Sequence, residues 1–293
     1  MRIFIIGMLL RLSARLPLPL LHVLGSGFGW LLLLIPNRIR KIARRNIEQC
    51  FPDWSRRRQR HLLRQSLMET ARTLTETGAL WLLPGEQALR LIRNVDGSEL
   101  VTQARQQGRG VILATPHLGA WEAAGLYGAA TFRMTCLYRP LRIPELETLV
   151  CDARSRLGAE YVTAAANGIR ELYRVLESGG TVAMLPDQEP PLSANGIFAP
   201  FFGINAWSTV LLARLAQRTG APVIMAWCER LPGGSGYHLH FRPGPQGINS
   251  ADLDTAVSAM NHAVEQLVRE CPAQYQWGYR RFKTRPAGET PFY

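Results

Sequence analysis

Charge is scarce in this sequence. Asp, Glu, Lys and Arg make up 19% of its 293 residues, whereas a soluble domain carries about 25%. The shortfall predicts that part of the surface faces something other than water. Cysteine is sparse as well. Cys50, Cys136, Cys151, Cys228 and Cys271 are odd in number, widely scattered and form no C-x-x-C. That excludes a disulfide framework and fits reduced thiols acting as small buried hydrophobes in a protein that faces the cytosol. Zinc-finger spacing, an RRM-type aromatic motif and a Gly-rich basic tail are all missing, so nucleic acid is not an expected partner. No G-x-S-x-G elbow occurs, which argues against a serine esterase. Internal repeats and low-complexity linkers are absent too.

What charge there is leans one way: the formal net charge is +12 and the pI is near 10.2. An anionic membrane surface or an acidic protein remains as the client of that excess, and the low charged fraction favours the membrane. The amino terminus agrees. "IFIIGMLL" at 3–10 and "LPLPLLHVLGSGFGWLLLLIP" at 16–36 are apolar, and "NRIRKIARRNIEQC" at 37–50 follows with Arg38, Arg40, Lys41, Arg44 and Arg45, as the positive-inside rule expects. The second run is nominally long enough to span a bilayer but holds Pro17, Pro19, His22 and the breakers Gly25, Ser26, Gly27 and Gly29. It has no clear signal-peptide cleavage site. Residues 1–45 therefore read as a membrane anchor, either one imperfect span or a helix lying in the interface, and 46–293 as a single catalytic domain. Residues 56–82 read as a long amphipathic helix with Leu62, Leu63, Leu67, Leu74 and Leu80 to one side. Its basic start faces either lipid or solvent.

From residue 95 onward, helix and strand patterns alternate. "GVILAT", "RMTCLYRP", "TVAMLPD" and "APVIMAWCER" read as strands, with "YHLHFRPG" pairing beside the last. "AWEAAGLYGAA", "PELETLVCDARSRLG", "NGIRELYRVLESGG", "WSTVLLARLAQRTG" and "ADLDTAVSAMNHAVEQLVREC" read as helices. This order predicts an α/β fold: a largely parallel central sheet with helices on both faces, preceded by the amino-terminal helical segment.

"VILATPHLGAWEAAGLYG" at 111–128 carries the chemistry. A buried strand stops at Pro116 and presents His117 where α/β proteins place reactive groups, at the carboxyl ends of strands. Glu122 follows five residues later. On one regular helix the two side chains would point about 140° apart; they can meet only if His117 lies in the loop and Glu122 in the first turns. A carboxylate on one imidazole nitrogen fixes the tautomer, leaving the other nitrogen to take a proton from a hydroxyl. Helix N–H groups face a developing negative charge. Such a dyad suits acyl transfer from a thioester to an alcohol. The plain alternative is a structural histidine at a helix start. Asp187 follows the strand "TVAML", which places it near His117 in a parallel sheet; a helix or turn cap is its other reading.

"HLGAWE" matches the H-x4-D/E signature of the glycerolipid and lysophospholipid acyltransferase superfamily. With "YRP" at 138–140, "RSRLGA" at 154–159, "LPDQEP" at 185–190, "FAPFFG" at 198–203, the following "LLARLAQRTGAPV" and "WGYRRFKTRP" at 277–286, the chain resembles the lipid A biosynthesis lauroyl and myristoyl acyltransferases. The likeness runs almost end to end. It implies an enzyme on the cytoplasmic face of a bacterial inner membrane that moves a fatty acyl chain from acyl carrier protein, as co-substrate, to a hydroxyl of a lipid A precursor, with no cofactor. It implies His117 as general base and Glu122 as its orienting partner, with Arg139, Arg154, Arg156 and Asp187 shaping the substrate site. An arginine there could hold phosphates or stabilise an oxyanion, or simply pair with Asp187 or Glu189. "RRFKTR" is a basic patch for the glycolipid or the acidic carrier, or else a solvated tail. The same superfamily holds acyltransferases for other acceptors, namely lysophospholipids, aminolipids and glycolipids, so the reaction is implied more firmly than the acceptor. A hydrolase using the dyad on water is the remaining enzymatic alternative.

No metal site is expected. H-x4-E lacks the H-E-x-x-H spacing, "HLH" at 238–240 has no evident third ligand, and its two histidines read as lying on alternate faces of a strand.

Overall fold

The computed structural model describes residues 2–140, 144–192 and 194–293. Five helices come first: α1 (Arg2–Ala14), α2 (Leu18–Leu34), α3 (Arg38–Cys50), α4 (Arg56–Leu82) and the short α5 (Gly85–Leu89). The chain then runs β1 (Ile92–Asp96), α6 (Glu99–Gln106), β2 (Val111–Ala114), α7 (Trp121–Phe132), β3 (Met134–Tyr138), α8 (Pro144–Ser155), β4 (Glu160–Thr163), α9 (Ala166–Glu177) and β5 (Thr181–Met184). It ends with β6 (Gly196–Phe201), β7 (Ile204–Thr209), α10 (Leu211–Thr219), β8 (Val223–Arg230), β9 (Tyr237–Pro243) and α11 (Leu253–Glu270).

Among the described residues, seven strands form one sheet in the order β1-β9-β8-β2-β5-β3-β4. Every pairing is parallel except β8 with β9, so the expected α/β architecture stands. The central strands are buried on both sides. Val111, Leu113, Ile224 and Ala226 join one core cluster, and Ile112, Ala114, Met225 and Trp227 join the other. That is why these strands read as continuous apolar runs rather than alternating ones.

Three details differ from the sequence reading. β1 and β4 lie at the two sheet edges, with fewer apolar residues, and gave no run to detect. The "FAPFFG" motif is a hairpin: β6 and β7 are joined by Phe202 and Gly203, both at positive φ, the geometry of a two-residue turn matched to strand twist. The following helix therefore begins at Leu211, and Trp207–Thr209 belong to β7.

α4 spans the 27 residues expected of it, and Ser55 caps it by accepting from the Arg58 N–H. Leu62, Leu63, Leu67 and Leu80 are buried along it, whereas Leu74 points out, 69% exposed. α1 and α2 pack on α4. The small residues Gly25 and Gly29 serve this contact: a Cβ on Gly29 would lie 2.4 Å from the Met68 Cα. They do not break α2; they let two backbones approach. Among the described residues, no single helix is long and apolar enough to cross a membrane. The pair α2 and α3, bent by 83°, has the combined length and composition.

A buried ionic cluster ties these helices to the sheet. Arg230 on β8 donates from Nε and Nη2 to both Glu76 carboxylate oxygens, at 2.6–3.0 Å, and from Nη2 to the Gly119 carbonyl at 3.1 Å. His22 of α2 and Tyr237 of β9 complete the shell around Glu76, at 2.9 and 3.1 Å. Burial alone would raise the Glu76 carboxyl, but Arg230 and His22 outweigh it and hold it below its ordinary value.

Candidate functional site

The site is built at the carboxyl ends of two neighbouring parallel strands. Ala114 of β2 and Met184 of β5 are in register. Three residues beyond each stand His117 and Asp187, so parallel pairing delivers the two side chains to the same place. The Asp187 carboxylate accepts from the His117 backbone N–H at 3.0 Å through one oxygen, and pairs with ring Nδ1 at 2.9 Å through the other. Asp187 is buried. Burial would raise its carboxyl, but His117's charge and hydrogen bonds overcome that and keep it below the usual carboxylate range.

The far nitrogen, Nε2, lies 3.1 Å from the Gln188 side-chain amide nitrogen. That donor fits a neutral ring with its proton on Nδ1 and a lone pair on Nε2. Trp121 sets its ring edge-on against the imidazole, 5.2 Å between centroids.

Backbone contacts fix the loop that carries His117. Its carbonyl accepts from the Gln276 N–H at 3.1 Å, and the Ala120 N–H donates to the Cys228 carbonyl at 2.7 Å. Gly119 has φ +64°, and a Cβ there would fall 1.9 Å from the Cys228 carbonyl oxygen. The glycine of "HLGAWE" is thus a steric requirement.

The geometry departs from the expected dyad. Glu122 does sit in the first turn of α7, but among the described residues no hydrogen bond joins it to His117. Its carboxylate accepts from Trp81 Nε1 at 3.0 Å and Arg154 Nε at 3.1 Å, with a second, shorter bond from Arg154 Nη2. The helix turns Glu122 toward α4 and α8, while the sheet register supplies His117 with Asp187 instead.

His117, Glu122 and Arg154 all line one cavity of about 880 Å³. Part of its wall is apolar and comes from α7 and the sheet: Leu113, Gly125, Gly128, Met134, Leu239 and Phe241. Two exposed cations, Arg139 and Arg214, also line it. Arg214, on α10, falls within the "LLARLAQRTGAPV" stretch, where a helical pattern does not set it apart as a site residue. Tyr138, also in the wall, has a buried hydroxyl without a hydrogen-bond partner among the described residues. Cys136 lines the cavity too, but burial pushes its thiol up to about 12, so it stays protonated and is a poor nucleophile.

Two expected contributors are engaged elsewhere. Arg156 donates to the carbonyls of Leu80, Trp81 and Ala153 at 2.6–2.8 Å. It closes the end of α4, as a cation does at a helix carboxyl terminus, and does not line the cavity. The "RRFKTR" segment is no continuous basic patch. Arg281 is 2% exposed and donates to the Trp207 carbonyl and Ser208 Oγ at 2.8 and 2.6 Å. Arg285 donates to the Asn205 carbonyl. Glu189 accepts from the Thr284 N–H and hydroxyl at 3.0 and 2.9 Å, fastening this segment to the loop that holds Asp187.

A carboxylate-steadied imidazole on a partly apolar cavity suits general-base chemistry on a greasy substrate. Comparison with known proteins gives that chemistry a family. Residues 1–284 match the model of the bacterial lipid A biosynthesis acyltransferases, and the chain belongs to that family. It is 30% identical over 96% of its length to the Lipid A biosynthesis palmitoleoyltransferase of Escherichia coli K12, covering 91% of that protein. It is 32% identical to the lauroyltransferase of the same organism, over 94% of this chain and 90% of that one. With the myristoyltransferase the figures are 25%, 86% and 79%.

Proposed function

We propose that this acyltransferase moves a fatty acyl chain from an acyl carrier protein thioester to a hydroxyl of a lipid A precursor, working on the cytoplasmic face of the inner membrane. The observation that carries the reading is the His117–Asp187 pair opening onto the cavity. The acceptor hydroxyl gives its proton to His117 Nε2 while its oxygen attacks the thioester carbonyl. Nδ1–H stays on Asp187, whose charge stabilises the imidazolium. The C–O bond forms, the C–S bond breaks, and the departing thiolate takes the proton back from the ring.

Glu122 and Arg154, held with Trp81, act as a positioning pair in the cavity wall. Arg139 and Arg214 at the rim suit the acceptor's phosphates, where a guanidinium binds bidentately. Support for membrane attachment comes from the apolar surface of α1 and α2. Leu9, Val23, Phe28, Leu31 and Leu34 are 50–69% exposed, and the basic α3 follows. The short, bent helices favour lying in the interface over spanning it.

The test is transfer in vitro from a panel of acyl carrier protein thioesters to a lipid A precursor, with products weighed by mass spectrometry. A product heavier by one acyl group is expected, and none from His117→Ala. Transfer only to a lysophospholipid, or hydrolysis as fast with the acceptor omitted, would replace this reading.

A further inference from the structure

"HLH" is the one histidine motif that the proposed reaction does not use. Residues two apart on a strand share a face, and His238 and His240 of β9 do so, their ring centroids 3.8 Å apart. They do not lie on alternate faces as the sequence reading had it. The third donor lies more than a hundred residues away in sequence. β1 runs parallel to β9 with Asp96 in register with His240. Asp96 Oδ2 lies 2.8 Å from His238 Nε2 and 3.9 Å from His240 Nδ1.

The geometry points to a divalent transition-metal site at this sheet edge, with Asp96, His238 and His240 as ligands and zinc as the natural occupant. One donor atom from each of the three lies within 4.8 Å of the other two. A tetrahedral ion needs donors about 3.3 Å apart, and the two oxygen–nitrogen distances straddle that value, so the carboxylate and the rings have to shift by roughly half an ångström. Imidazole nitrogen with one carboxylate oxygen is a donor set suited to zinc. Three protein ligands leave a fourth position for water.

The surroundings of His240 are those of a metal ligand. Its ring is stacked on the buried Trp227, 4.4 Å between centroids and 14° between planes. With Nδ1 turned toward Asp96, Nε2 is buried, has no hydrogen-bond partner among the described residues, and faces Glu229 Oε2 at 3.5 Å. A carboxylate behind the far nitrogen of a ligating histidine orients the ring and raises its basicity. Arg242, the next residue on this face, is drawn off by Glu270 and lies over Trp227. β1 is held in the sheet only through β9, so a bound ion would staple the edge strand in place.

The test uses the full-length chain, prepared without a polyhistidine tag, stripped with a chelator and titrated with Co²⁺ alone. One Co²⁺ per chain is expected, with the visible absorption of a four- or five-coordinate nitrogen and oxygen site. Zn²⁺ should abolish that absorption and raise the melting temperature. Asp96→Asn and His238→Gln should each weaken Co²⁺ binding at least tenfold and remove the thermal shift, while His262→Gln changes neither. Asp96 is exposed, so its variant tests the site without threatening the fold. No saturable absorption, a thiolate-to-metal charge-transfer band, or binding unchanged in Asp96→Asn would overturn the assignment. None of these outcomes bears on acyl transfer.

Discussion

Asp187 holds His117 at two points, by the backbone N–H and by the ring nitrogen on the side away from the cavity. The imidazole can neither rotate nor present its other nitrogen without losing a hydrogen bond to a buried carboxylate. Asp187→Asn removes the charge and reverses the preferred hydrogen-bond polarity at Nδ1. Steady-state kinetics should show kcat lower by about 10²–10⁴-fold, the usual worth of a general base, with KM close to that of the parent. A variant with parental kcat would remove Asp187 from the mechanism.

Glu122 and Arg154 are expected to act as one unit. Glu122→Gln and Arg154→Gln should each lower kcat/KM, and the double variant should be little worse than the more damaged single one. The coupling energy of residues in direct contact is about 0.5–3 kcal/mol. Additive losses across the four-member cycle would show that the two residues work separately.

Gly125 borders the cavity, and a Cβ placed there meets nothing within 4 Å. Gly125→Leu should therefore fold normally and shorten the space for hydrocarbon. Each methylene excluded from an apolar site costs about 0.8 kcal/mol, roughly fourfold. Transfer of the longest accepted chain should fall tenfold or more relative to chains two to four carbons shorter. An unchanged product profile would place the acyl chain elsewhere.

The cluster at Glu76 makes stability depend on acid in a defined direction. Its folded carboxyl is held below the ordinary glutamate value of 4.5. The contribution is fully present above about pH 4.5 and is lost as pH falls through the lower, folded value. Glu76→Gln leaves Arg230 buried without its main partner and should cost about 3–5 kcal/mol near neutrality. Melting curves should show the variant less stable at pH 7 and less sensitive to acid than the parent.

The proposed membrane attachment through α2 can be checked separately. Val23 and Leu34 are 67% and 69% exposed, so changing both to Asp removes apolar contact without touching the core. Co-sedimentation with anionic vesicles should drop several-fold while the melting temperature holds within a degree or two. Undiminished sedimentation would locate the lipid contact elsewhere.

That His117 and Asp187 each follow a strand of a parallel sheet was legible, which puts both at the sheet's carboxyl edge; that β2 and β5 are neighbours, so that the two side chains touch, was not. The partner of Glu122 was not legible. Within a helix's first turn the side chain's aim depends on what packs alongside, here α4 and α8, which periodicity does not report. Arg156 and Arg281 show the same blind spot: a guanidinium in a motif looks like a ligand-binding group until the carbonyls it caps are seen. Asp96 reads from the sequence as a helix cap and not as a partner of "HLH", because sequence distance hides a pairing that a crossover between β1 and β9 creates. Gly25 and Gly29 of α2 look like helix breakers in the sequence because their use, backbone-to-backbone contact, belongs to the partner helix as much as to α2.

The reach of His22 into the Glu76–Arg230 cluster has a practical corollary. Pruning the first forty-five positions to obtain a more tractable catalytic fragment would strip a buried carboxylate of one neighbour, bare the groove on α4, and loosen the arginine that grips the Gly119 carbonyl two residues from the reactive ring. The leading helices are better treated as part of the enzyme's foundation than as a disposable tether.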